Sequence, residues 1–149
     1  YGLIDFLKEG EIHEICRRLA MNEKILDKVA EGKRQADQVL LQIFSWINSD
    51  FQPKRSEIYT VLGPLSTEAK LFMMAKTTQM TTRRYISLYF TQLKDTKPLL
   101  TGRDLIQLGI TPGPSIRKTL ADLLKARLDE QVITRQDEME YISKVQRME

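Results

Sequence analysis

Apolar residues recur every three or four positions along almost the whole of this chain, a period that admits helices and little else. Ile12, Ile15, Cys16 and Leu19 stand at i, i+3, i+4 and i+7 and predict a helix over about 11–20. Asn22 is suited to cap a long helix reaching about Trp46, because its short side chain can accept a main-chain N–H that the first turn leaves open. Ile25, Leu26, Val29, Ala36, Val39, Leu40, Ile43, Phe44 and Ile47 share one face of that helix. Gly32 and Lys33 interrupt the face, so two helices meeting near Gly32 are an alternative to one. Asn48 to Pro53 reads as a loop. A short helix over 54–62 stops at Gly63-Pro64, where proline cannot continue it.

Ser66 can cap the next helix, which carries Ala69, Leu71, Phe72, Met73 and Ala75, although the position that would complete a capping box is Ala69 rather than Glu or Gln. Ile86, Tyr89, Phe90 and Leu93 predict a helix over 79–94 with Arg84 toward solvent. Thr101 caps a short helix through Leu105 and Leu108. Pro114 opens a helix with Ile116, Leu120, Leu123, Leu124 and Leu128 inward, and Thr134, with Asp137 three residues on, opens an acidic last helix. No strand-like alternation appears. The expected fold class is all-α: a multi-helix bundle with a C-terminal helical subdomain containing a helix-hairpin-helix-like turn. A composition shift near 94–101 suggests a division into 1–94 and 95–149.

Composition excludes several kinds of chemistry. With 149 residues, 42% of them hydrophobic, the chain can bury roughly 70% of its unfolded surface and needs no covalent staple. The single Cys16 allows neither an intramolecular disulfide nor a cysteine zinc site, and it reads as a small apolar residue on a helix face. The single His13, between Glu11 and Glu14, reads as a surface residue and argues against a His-rich metal site or a Ser-His pair. Asp5, Glu9, Glu11 and Glu14 read as a solvated helix face, and Met73, Met74, Met80 and Trp46 as core. There is no Walker loop, no HExxH and no Asp-x-Asp pair, so neither a catalytic residue nor a metal ligand is expected. The apolar runs are too short to span a membrane and the start does not resemble a signal peptide, so a cytoplasmic location is expected. The chain begins at Tyr1 rather than Met, which suggests a piece of a longer protein.

The net charge of +3 hides an uneven distribution. Residues 51–128 hold 13 Lys and Arg against 5 Asp and Glu, while the segments on either side are acidic. A surplus of +8 between acidic ends points to a partner of negative charge, with nucleic acid first.

The densest local pattern runs from Thr101 to Pro114. Gly109 can take the left-handed conformation that a helix exit needs, and Pro112-Gly113-Pro114 turns the chain into the next helix. The N–H groups of Ser115 and Ile116 are expected to face outward beside Gly113, an arrangement suited to an anion. Arg117 and Lys118 oppose the helix dipole at that start, a penalty a bound phosphate would reverse. Arg83 and Arg84 with Tyr85 and Tyr89 form a second cluster, in which arginine could fork onto phosphates and tyrosine stack on a base. Lys94, Lys97 and Arg103 extend this basic region, and Lys54-Arg55 adds cations at a helix start. The candidate RNA- or phosphate-binding residues are therefore Arg83, Arg84, Lys97, Arg103, Gly113, Ser115, Arg117 and Lys118. A purely structural helix hairpin is the competing reading.

Lys97-Pro98-Leu99-Leu100-Thr101-Gly102-Arg103-Asp104-Leu105, then Leu108-Gly109-Ile110-Thr111-Pro112-Gly113-Pro114, then a Leu-rich helix and Thr134-Arg135-Gln136-Asp137-Glu138 carry a family resemblance. The segment from Leu93 to about Glu138 resembles the C-terminal part of bacterial tRNA nucleotidyltransferases, the CCA-adding, A-adding and poly(A) polymerase group. The resemblance implies a helical body and tail that grip the acceptor and T-arm side of tRNA. The Gly-Ser and Asp-x-Asp motifs of that family's catalytic head, and the Glu-Asp-x-x-Arg motif of its neck, are not in this sequence. The resemblance further implies that Mg²⁺ and ATP or CTP belong to the head and that the head of the same chain is the body's partner. A homo-oligomer stays an open alternative, and without the metal carboxylates this stretch alone is expected to add no nucleotide. A helix-hairpin-helix module for duplex DNA, from Leu-x-x-x-Gly-Ile-x-Pro-Gly-Pro, and a helical protein adaptor are the alternatives.

Overall fold

The computed structural model describes residues 6–20 and 22–146. Its elements are α1 (Glu9–Arg18), α2 (Glu23–Asn48), α3 (Arg55–Leu62), α4 (Thr67–Lys76), α5 (Met80–Leu88), a π-helical turn (Tyr89–Leu93), α6 (Gly102–Gln107), α7 (Pro114–Leu128) and α8 (Arg135–Gln146). No strand occurs among the described residues, and the fold is all-α. Asp5 and the side chains of Glu9, Ile12, His13, Cys16 and Leu26 lie outside the described residues.

Two units can be distinguished. The first comprises residues 1–53 and 60–89, the second residues 54–59 and 90–149. In the first, α2 packs on α1, α4 and α5, and α4 on α5. The Asn22 side chain accepts the Lys24 N–H at 2.9 Å and caps α2 as its sequence predicts. The helix then runs unbroken through Gly32. Glycine costs about 1 kcal/mol in a helix interior, and the flanking pairs Glu31–Arg34 and Lys33–Asp37 return only a few tenths each. Burial of Ala36, Leu40 and Ile43 further along the same helix decides the matter. Ser66 caps α4 by accepting the Ala69 N–H, without the reciprocal half of a capping box.

Ala69, Phe72, Met73 and Ile86 complete the buried set, whereas Leu71 and Met80, expected inside, are 54% and 69% exposed. Trp46 is half-buried, its ring 6.1 Å from Phe51 and 6.5 Å, edge-on, from Tyr85. The helix expected over 79–94 stops being α-helical at Leu88 and continues as the π turn. Tyr89 and Leu93, spaced four apart there, are both buried.

In the second unit, α7 packs on α6 and α8. Leu100, Leu105, Leu123 and Ile142 form its buried center, ringed by Leu108, Ile110, Ile116, Leu120, Met139 and Tyr141. Thr101 caps α6 by accepting the Asp104 N–H, and Asp104 accepts the Thr101 N–H in return. Thr134 and Asp137 exchange the same pair of bonds before α8. At the start of α3, the Ser56 N–H and hydroxyl both donate to Asp129, each at 2.8 Å.

Candidate nucleic-acid interface

The turn between α6 and α7 is built by its glycines. Gly109 has φ +89° and Gly113 φ +123°, values that L side chains rarely adopt. The Ile110 N–H closes back on the Leu105 carbonyl at 3.0 Å, which ends α6, and Pro114 occupies the first position of α7. A Cβ on Gly102 would lie 3.4 Å from the Ile116 methyl, so the first turns of α6 and α7 sit side by side. A Cβ on Gly113 would meet nothing within 4 Å, leaving the backbone there open.

One expectation needs correction. The Ile116 N–H does not face outward unbonded, because it donates to the Gly113 carbonyl at 3.2 Å. The Ser115 N–H is left as the donor beside Gly113. Ser115, Arg117 and Lys118 are exposed on this hairpin, and Arg117 makes no ion pair with a described residue. Arg103 is exposed in the first turn of α6, and Lys97 is exposed in the preceding loop. Thus Lys97, Arg103, Gly113, Ser115, Arg117 and Lys118 all belong to one unit.

Arg83 and Arg84 belong to the other unit. Both are exposed, and Arg83 donates its Nε to the Met74 carbonyl at 3.2 Å. The aromatic half of that cluster does not form a stacking surface. Tyr89 is buried with the Lys70 ammonium 4.6 Å from its ring center, and Tyr85 is half-buried with its ring edge-on to Trp46. Several members of the basic surplus are engaged internally, among them Lys76 with Asp37 and Arg127 with Glu138. Lys70, 4% exposed, donates to the Leu65 carbonyl, and burial holds its ammonium pKa below the ordinary value. Arg55 is held by Glu130 and Gln92, which explains a cation that has no reason in the local sequence.

Three carboxylates near the hairpin, Asp104, Asp137 and Glu138, are committed to structure. Asp104 accepts the Thr101 N–H and hydroxyl and an Arg135 guanidinium N–H at 2.6 Å, and these bonds hold its pKa at about 2. Main-chain N–H groups of Thr134 and Ile133, with the Thr134 hydroxyl, likewise hold Asp137 below the usual range. Glu138 is fully buried. It accepts the N–H groups of Leu99 and Leu100 at 2.8–3.0 Å and an Arg127 guanidinium N–H at 3.2 Å. Glu138 thereby fixes the loop that carries Lys97. Its role was invisible in the sequence, where it reads as one acid of an acidic helix. A groove of about 250 Å³ opens beside the hairpin, between the Gly109–Ser115 turn, α7 and α8. Among the described residues no cluster of His, Cys, Asp and Glu could hold a metal ion, and no helix is long and apolar enough to cross a membrane.

Fold and surface together define a class: an all-helical module that presents Arg and Lys side chains around a glycine-proline turn. Sequence comparison makes the relationship particular. Over 124 residues, 83% of its length, the chain is 40% identical to the A-adding tRNA nucleotidyltransferase of Geobacter sulfurreducens. The chain is similar to a segment of that enzyme and spans 14% of its length. No family model and no solved structure matches the chain.

Proposed function

We propose that this chain is the helical body and tail of a tRNA nucleotidyltransferase, the part that holds tRNA while a catalytic head adds nucleotides to its 3′ end. The observation that carries this reading is the 40% identity to an A-adding enzyme over most of the chain. The basic segment 51–128 and the exposed Lys97, Arg103, Ser115, Arg117 and Lys118 support it. On this reading residues 1–94 are body and 95–149 tail. The grip falls on phosphates and 2′-hydroxyls of the acceptor and T-arm side, so binding follows shape more than sequence. Mg²⁺ and ATP or CTP act in the head, because metal-assisted phosphoryl transfer needs carboxylate ligands that this sequence does not supply in an Asp-x-Asp pair.

The test is competition. Labelled tRNA bound to the chain should be displaced by unlabelled tRNA and resist duplex DNA of equal charge. Preferential displacement by duplex DNA would favor a DNA-binding hairpin instead. Incubated with tRNA lacking its 3′ end, Mg²⁺ and labelled ATP or CTP, the chain should incorporate no label. Incorporation above a protein-free control would contradict the division of labor proposed.

A further inference from the structure

The groove beside the hairpin shares Ser115 and Lys118 with the basic surface but adds apolar walls and a carboxylate. Its walls are apolar at Ile110, Ile142 and Val145, with the half-buried ring of Tyr141 among them. Asp122 lines it too, part-buried, and its carboxylate makes no hydrogen bond or ion pair with a described residue. At about 250 Å³ the groove falls just below the usual range for small-molecule pockets, roughly 300–1,000 Å³, so it suits one flat group rather than a larger ligand.

An ionised carboxylate only accepts hydrogen bonds, so a group that enters to meet Asp122 must bring donors. Two neighboring donors satisfy both carboxylate oxygens at once. Guanine alone among the four RNA bases offers such a pair, N1–H beside the N2 amino group. Adenine, cytosine and uracil each place a single donor position beside acceptors on that edge. The apolar walls and the tyrosine ring suit the faces of a base.

We propose that this groove receives an unpaired, unstacked guanine, with Asp122 reading its Watson–Crick edge. The inference rests on the RNA-binding reading above and adds a base-specific contact to one otherwise guided by shape. Titration of the full 149-residue chain with GMP, dGMP, AMP, CMP and UMP, followed by NMR of the Ile110, Ile142 and Val145 methyl groups, tests it. GMP and dGMP should move these resonances at concentrations at which the other three do not. Asp122→Asn should weaken GMP by at least about tenfold, as expected for losing a two-bond base contact. It should favor xanthosine monophosphate, whose N1–H and C2 carbonyl match a carboxamide, and it should melt like the parent protein.

GMP that leaves these methyl groups unmoved would overturn the proposal. So would equal binding of all four ribonucleotides with dGMP excluded, which would mean a ribose contact, or Asp122→Asn binding GMP as well as the parent does. tRNA affinity measured on the same protein separates the two readings. tRNA bound without a GMP response removes the groove assignment alone. A GMP response without tRNA affinity keeps the groove and removes the tRNA role.

Discussion

Glu138 shows how much one side chain can hold. Two main-chain N–H groups and one guanidinium converge on a carboxylate with no solvent exposure. Glu138→Ala would leave the Leu99 and Leu100 N–H groups without this acceptor and the Arg127 guanidinium with the Ile133 carbonyl but no counter-charge. The expected loss is about 3–5 kcal/mol, the range for breaking a buried charge pair, read as a lower urea midpoint. A loss under about 1 kcal/mol would mean that water replaces the carboxylate. Asp104 makes a pH prediction. Its folded pKa of about 2 lies below the ordinary 3.8, so its contribution is present above pH 3.8 and is lost as pH falls toward 2. Urea midpoints measured from pH 5 to pH 2 should fall less steeply for Asp104→Asn than for the parent. Identical slopes would show that the Thr101 and Arg135 bonds do not persist in solution.

At the scale of elements, the hairpin separates a structural role from a binding one. Gly113 stands at φ +123° with open space where a Cβ would go, so Gly113→Ala is opposed by backbone strain rather than by a clash. That strain should cost about 1–3 kcal/mol of stability. Arg117 has no ion-pair partner among the described residues, so Arg117→Ala should leave the melting temperature unchanged. If the hairpin holds phosphate, Arg117→Ala should also weaken tRNA binding by about 1–2 kcal/mol. Normal melting with undiminished tRNA affinity would assign the hairpin a structural role only.

The capped starts at Asn22, Ser66, Thr101 and Thr134, and the proline start at Pro114, were legible in the sequence because each depends on residues within one turn. The unbroken passage through Gly32, the π turn at Tyr89 and the exposure of Leu71 and Met80 were not, because tertiary packing sets them. Of the candidate site, the exposed cations were legible from charge. The bonded Ile116 N–H, the buried Lys70 and the acceptor role of Glu138 were not, since their partners are fixed only by the folded backbone.

At the scale of the molecule, the basic surface of this all-helical chain is proposed to bind tRNA. Electrostatic binding to nucleic acid releases counterions, and its affinity falls with salt in proportion to the number of phosphates neutralized. Only part of the +8 surplus in residues 51–128 is open for this, because Arg55, Lys70, Lys76 and Arg127 are engaged within the fold. With about 4 phosphates contacted, the logarithm of tRNA affinity should fall against the logarithm of salt concentration with a slope on the order of 3 to 4. The most direct measurement is that slope, taken for the parent and for Arg117→Ala between about 50 and 200 mM salt. A steep line is expected for the parent and a slope smaller by about 1 for the variant. A tRNA affinity that does not respond to salt would contradict binding through the basic surface.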